Sequence, residues 1–394
     1  MKILVLGAAV AAVALLATSC GNGGRTPEQS FEAVYATFDM SLPVEPPFSY
    51  KTDAPGYIQS DTRAGNPIND RKATLGRVLF YDKALSDNGT LSCASCHKQQ
   101  FAFSDTAQRS TGLNGLTTER HSMRLVNNRF SKEQRMFWDE RAVDLEDQVL
   151  QPIKDHIEMG FSGSNGQPDI NALIEKLQSI AYYEELFAWS FDGDGTVSSA
   201  KIALALTDFV HSIESFDTKF DAGFTTPASI DQPFQNFTAQ ENEGKSLFLN
   251  PPSVDINSVR VGGGAGCASC HIPPAFSIDP NSLNNGVDHK AGEPAASDFT
   301  NTKSPSLRDL IGLNGTPNGP MMHTGDFLEF TTVIEHYNEV IADVNNTSLD
   351  QRLKRGPNSL KLELSTTERA ALEAFIKTLT GNAVYTDDRW SSPF

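Results

Sequence analysis

The chain has 394 residues, 39% hydrophobic and 21% charged, a composition that specifies a folded protein and excludes a compositionally disordered one. Asp and Glu number 49 against 32 for Lys and Arg, and the net charge of −17 argues against nucleic acid or anionic lipid as partners and favours a basic protein. After the first twenty residues no apolar run is long enough to span a bilayer.

The N-terminus carries one basic residue, Lys2, an apolar run from Ile3 to Leu16, and the small residues Ala17, Thr18 and Ser19 before Cys20. This is the pattern of a secretory signal over residues 1–20, and a cysteine directly after the small residues resembles the lipobox of a bacterial lipoprotein. Acylation of Cys20 would tether the chain to a membrane surface, whereas ordinary cleavage near it would release a soluble product. In both cases the protein works outside the cytoplasm, in the periplasm. Residues 21–58 are rich in Gly, Pro and polar residues and are expected to form a tether and wrapping arm.

The remainder contains one unit twice. A predicted helix closes on Gly76-Arg-Val-Leu79-Phe80 and another on Gly244-Lys-Ser-Leu247-Phe248. Cys93-Ala-Ser-Cys96-His97 recurs as Cys267-Ala-Ser-Cys270-His271, displaced by the glycine-rich loop Val261–Gly264. Each unit then ends in an amphipathic helix, with Leu206, Phe209, Val210 and Ile213 matched by Leu372, Phe375, Ile376 and Leu379. Thr238 with Glu241, and Ser365 with Glu368, predict capping boxes, and Gly381 stands as a C-terminal stop. No alternating strand pattern is present. The expected fold is mainly α, as two tandem cytochrome c-like domains over residues 59–225 and 235–394, joined where Gly223, Pro227 and Pro233 interrupt any helix.

Cys-x-x-Cys-His is the attachment sequence of c-type haem: two thiols form thioethers with the vinyl groups and the adjacent imidazole takes the iron. At this cysteine and histidine content one match by chance has a probability on the order of one in a thousand, and two inside a repeat exclude coincidence. A zinc site would draw both cysteine pairs together, and a redox dithiol does not need the following histidine twice. Two covalently bound haem c groups are therefore expected, on Cys93, Cys96 and His97 and on Cys267, Cys270 and His271, with the two histidines as iron ligands.

From about residue 70 onward the chain resembles the bacterial dihaem cytochrome c peroxidases and the related MauG enzymes. The resemblance rests on Leu75–Phe80, Leu91–His97, Phe137-Trp-Asp-Glu-Arg-Ala142, Glu158-Met-Gly160, Ser304-Pro-Ser-Leu-Arg308, Pro320-Met-Met-His-Thr-Gly325 and the closing Pro393-Phe394. It implies that the N-terminal haem is the peroxide site and the C-terminal haem the point of electron entry. It further implies that Trp138 relays electrons between them and that Gln148 and Glu158 form the distal pair of the peroxide haem, with Pro152 beside them. A carboxylate suits that position, since breaking the O–O bond requires a proton to move from the inner to the outer peroxide oxygen.

Two departures stand out. Typical peroxidases of the family carry a histidine that blocks the peroxide haem in the loop here reading Ser110-Thr-Gly-Leu-Asn-Gly115; without it, the first iron is expected to have an open sixth position and to need no reductive activation, with blocking by His121 as the alternative. His121 replaces a family asparagine at a calcium site between the domains, of which Asn318 and Pro320 match other members. Alignment from Pro320 brings Tyr337 to the position of the methionine ligand of the second iron, as in MauG, with Met321, Met322, His323 and His336 as competitors.

The expected activity is reduction of hydrogen peroxide to water with electrons from a small c-type cytochrome or cupredoxin. The alternative is a MauG-like oxidase that acts on a protein or small molecule through high-valent haem. The membrane enters only through the N-terminal lipid anchor, and the resemblance implies a homodimer.

Overall fold

The computed structural model describes residues 31–38, 40, 46–52, 54–224 and 229–394. The signal segment, Cys20 and the first part of the expected tether lie outside them. Among the described residues no helix is long and apolar enough to cross a membrane.

The arm is more ordered than its composition suggests. Glu32–Thr37 forms helix α1, whose first backbone N–H groups, at Ala33 and Val34, donate to the Glu185 carboxylate at 3.1 and 2.9 Å. Phe31, Val34, Phe38 and Tyr50 are buried in the first hydrophobic core, so this stretch packs where a tether was expected. The helix was illegible because its six residues give less than two turns of periodicity.

The first repeat then runs through α2 (Asp70–Tyr81), the single turn α3 (Cys93–Cys96), α4 (Leu145–Gln148), α5 (Gln151–Lys154), α6 (Ile170–Gln178), α7 (Ala181–Ser190) and α8 (Ser199–Ser212). The second contains α9 (Lys219–Gly223), α10 (Ala239–Leu249), α11 (Phe330–Asn338), α12 (Thr366–Lys377) and α13 (Ala383–Thr386). The capping boxes at Thr238 and Ser365 are formed as expected, opening α10 and α12. Gly381 is not a helix cap: α12 ends at Lys377, and the glycine is required because a Cβ there would lie 2.4 Å from the Asp217 carboxylate.

The repeat is visible in how its helices cross. α2 packs on α8 with Gly76 against the carbonyl of Ala205, where a Cβ would be 1.9 Å from the oxygen. α10 packs on α12 in the same way, with Gly244 against the carbonyl of Ala371 and a Cβ at 1.8 Å. Each crossing buries the apolar stripe of its closing helix, Leu206 to Ile213 in one core and Leu372 to Leu379 in the other.

The two cores do not follow the chain in simple order. Phe220 and Phe224 already belong to the second core, while the chain returns at its end to the first, where Val384 and Trp390 are buried. Arg77 Nε donates to the Ser391 carbonyl at 2.6 Å, and Trp390 Nε1 to Ser212 Oγ at 3.1 Å, fixing this return. Residues from Phe31 to Phe394 form one compact unit.

Strands occur where none was expected. Four antiparallel two-stranded hairpins follow residue 250: β1 (Pro252–Val254) with β2 (Arg260–Gly263), β3 (His271–Ile272) with β4 (Ser277–Ile278), β5 (His289–Lys290) with β6 (Glu293–Ser297), and β7 (Lys354–Arg355) with β8 (Asn358–Ser359). With two to five residues each, they are too short to present an alternating pattern.

Candidate functional site

Each Cys-x-x-Cys-His motif opens onto its own cavity. The first, of about 440 Å³, is lined by Cys93, Cys96 and His97 together with Gln148, Pro152 and Glu158. The second, of about 610 Å³, is lined by Cys267, Cys270 and His271 together with Tyr337, Met321 and Met322. Trp138 lines both, as do His121, Arg124 and Lys303.

The first motif is a helical turn with a capping box between Ser92 and Ser95, which leaves His97 at its end. Since the Phe103 carbonyl can only accept, His97 Nδ1 carries the proton directed at it, at 3.3 Å, and Nε2 is the nitrogen left available to a metal. The second motif is a tighter 3-10 turn after Gly266, and His271 continues into β3. His271 Nδ1 is buried without a partner among the protein's own groups, and burial, aided by Arg352, pulls the imidazole down to about 4, so the ring is neutral at ordinary pH. Burial pushes the Cys93 and Cys267 thiols up to about 12, which removes them as redox thiolates. Four free cysteines and two neutral imidazoles, on cavities within the roughly 300–1,000 Å³ range of cofactor pockets, fit two covalently held haems.

Glu158 is held by its backbone. The Asp155 carboxylate accepts the N–H groups of Ile157 at 2.7 Å and Glu158 at 3.0 Å, and the Ile157 carbonyl accepts from Leu113 at 2.7 Å. Gly160 has φ of +89°, and a Cβ there would meet Leu113 at 2.3 Å, which explains the glycine of Glu158-Met-Gly160. Burial pushes the Glu158 carboxyl up to about 7, with the Asp155 charge adding to the rise and Arg141 opposing it. The loop from Ser110 to Gly115 therefore serves as a brace for Glu158.

His121 is buried, and its Nδ1 donates toward the carbonyls of Ala107 and Gln108 at 3.1 and 3.2 Å. Its own carbonyl accepts from Trp138 Nε1 at 2.7 Å, and its N–H donates to the His323 carbonyl at 2.8 Å. The Trp138 and His323 rings meet edge to face with centroids 6.3 Å apart. Trp138 is thus clamped at the waist between the cavities.

Tyr337, on α11, has its hydroxyl in the second cavity, 3.3 Å from Asn285 Nδ2; burial pushes the phenol up, and this hydrogen bond opposes the rise. Pro320 lines the same cavity, while Asn318 donates its amide to the Asp309 carbonyl at 2.7 Å and to the Tyr385 hydroxyl at 2.8 Å. Among the described residues no group of three or more His, Cys, Asp or Glu side chains is arranged to hold a metal ion.

Sequence reasoning missed Asn285 and Lys303. Asn285 sits in an Asn-Asn-Gly stretch that reads as an ordinary turn. Lys303 is 6% exposed, its Nζ donates to the Glu133 carbonyl at 2.8 Å, and burial pulls it down to about 8. A buried lysine has no signature in a single sequence.

Residues 70–227 match the family model of the di-haem cytochrome c peroxidases. The chain is 30% identical over 326 residues to the methylamine utilization protein MauG of Methylophilus methylotrophus, covering 81% of this chain and 85% of that one. It is 28% identical over 331 residues to cytochrome c551 peroxidase of Nitrosomonas europaea, covering 81% and 83%. Among solved structures, a MauG-like protein associated with microbial copper homeostasis superposes with a TM-score of 0.66 at 28% identity, covering 86% of this chain and 98% of that one. Membership implies two haem c groups, in agreement with the two motif-lined cavities, and the chain belongs to the dihaem cytochrome c peroxidase and MauG family.

Proposed function

We propose that the protein is a peroxidase that converts hydrogen peroxide, two electrons and two protons into two waters. The electrons arrive singly from a small c-type cytochrome or cupredoxin. The observation that carries this reading is that Glu158 and Gln148 line the same cavity as His97.

The haem, when bound, would supply the iron chemistry that cleaves the bond between the inner and outer oxygens of peroxide. Glu158, ionised, takes the proton from that inner oxygen and returns it to the outer one, so that the outer oxygen leaves as water. Gln148 offers an amide to hold the peroxide in line. Ser110 to Gly115 contain no histidine, which supports a first haem open to peroxide without prior reduction; His121 and His156, which also line the cavity, are the imidazoles that could close it. Trp138, bordering both cavities, is the relay by which electrons entering at the second haem reach the first. The signal-like segment before Cys20 supports a periplasmic, lipid-anchored protein.

The second reading is a MauG-like oxidase of a protein or small-molecule substrate. Tyr337 favours it, because an oxygen ligand stabilises oxidised iron where a thioether stabilises reduced iron.

Mixing never-reduced ferric protein with hydrogen peroxide in a stopped-flow spectrometer tests the proposal. The expected result is a fast change of the haem spectrum in the wild type, slowed by about 10²–10⁴ in Glu158→Gln. Equal rates in the two proteins contradict Glu158 as the base, and no reaction in either contradicts the open site.

A further inference from the structure

Among the side chains of ligating chemistry that line the second cavity beside its haem motif are the phenol of Tyr337 and the thioether of Met322, and one amide serves these two. Asn285 Nδ2 donates to Met322 Sδ at 3.3 Å and to Tyr337 Oη at 3.3 Å. The orientation of this amide follows from its surroundings: the Val287 N–H can only donate, and it meets Asn285 Oδ1 at 3.1 Å, so the NH₂ group faces the cavity. The Asn285 main chain also holds the helix that carries the tyrosine, since its carbonyl accepts from His336 Nε2 at 2.9 Å. Met322 is kept in place at a cost in backbone freedom. Its φ of +62° lies in the left-handed region, which a non-glycine residue keeps only where its surroundings over-determine it.

We propose that Asn285 is a positioning residue that selects Tyr337 over Met322 as the sixth ligand of the second haem; the inference rests on the reading of Tyr337 as that ligand. One N–H fixes the phenol oxygen and stabilises the negative charge that ligation develops on it. The other N–H engages the sulfur and holds the thioether back from the metal. Selection between a hard oxygen and a soft sulfur ligand sets which oxidation state of iron is favoured, so Asn285 governs the potential of the second haem through Tyr337.

The test uses the full haem-loaded protein and reads the ferric absorption and EPR spectra and the midpoint potential of the second haem. Asn285→Asp retains the oxygen that accepts from Val287 and removes both donors, so it preserves the turn; Asn285→Leu removes the whole device. The expected result in both is loss of the tyrosinate signature, appearance of a methionine-ligated low-spin signature and an upward shift in potential. The methionine signature disappears when Met322→Leu is added to Asn285→Asp. A wild-type spectrum and potential in Asn285→Asp and Asn285→Leu overturn the inference while leaving the tyrosine ligand intact. Tyr337→Phe separates the two claims, because an unchanged spectrum in that variant removes the tyrosine ligand and the inference with it.

Discussion

At the scale of single residues, Glu158 is positioned by main-chain contacts, the Asp155 cap and the Leu113 brace, which leaves its carboxyl free to work as a base. Its raised pKa, about 7, has a definite sign of effect. The base must be ionised in the resting enzyme, so kcat/KM for peroxide falls as pH drops through about 7 and levels off above it; Glu158→Gln removes this titration together with most of the rate. A pH profile of both proteins reads the two effects at once, and a wild-type profile with no inflection near 7 contradicts the role. The identity of Glu158 was legible only through its motif, since the sequence holds 49 acidic residues and an isolated glutamate carries no message. Its pKa was not legible at all, because burial and the nearness of Asp155 are properties of the folded chain. Tyr337 and Asn285 show the same divide. Tyr337 is a candidate only through alignment with the family pattern from Pro320, whereas Asn285 contacts it from fifty-two residues away, a relation no local pattern encodes.

At the scale of elements, the two helix crossings are the most exacting parts of the fold. Gly76 and Gly244 each let a backbone carbonyl approach where any side chain would collide. Gly76→Ala or Gly244→Ala must force the helices apart, and the expected loss is about 1–3 kcal/mol, read as a lower melting temperature of the holoprotein. An unchanged melting temperature in both variants contradicts the close-packing account. These helices were legible because their stripes extend over several turns and their first turns carry capping residues. The short hairpins and helix α1 were not, because elements of two to six residues are too short to repeat their period convincingly. The glycine-rich loop shows how local chemistry shapes the site: Ala265 N–H bonds the Leu247 carbonyl and Gly266 N–H the Asn250 carbonyl, docking the second haem motif onto the end of α10.

At the scale of the whole molecule, the waist between the two cavities is the centre of the account. Trp138 is fixed there through the His121 carbonyl, and its own carbonyl accepts from Thr302 and Lys303 at 2.9 and 3.1 Å, so both repeats hold it. Trp138→Ala is expected to leave the first reaction with peroxide fast while slowing donor-driven turnover, and equal turnover in both proteins contradicts the relay. The net charge of −17 predicts that a basic donor docks by long-range attraction, so its kcat/KM falls as ionic strength rises. Turnover that does not respond to salt contradicts that mode of docking. The repeat and the two haem motifs could be read along the chain, but not the return of the C-terminus to the first core. Trp390 and Val384 pack there through contacts that sequence order does not suggest.

The most direct test of the central claim is steady-state oxidation of a reduced small c-type cytochrome by hydrogen peroxide, with enzyme that has never been reduced, comparing wild type and Glu158→Gln. The peroxidase reading predicts immediate turnover by the wild type and a loss of about 10²–10⁴ in the variant. Negligible turnover by a wild-type protein whose haems still react with peroxide contradicts it and favours the oxidase reading, in which the electrons come from a substrate and not from a cytochrome.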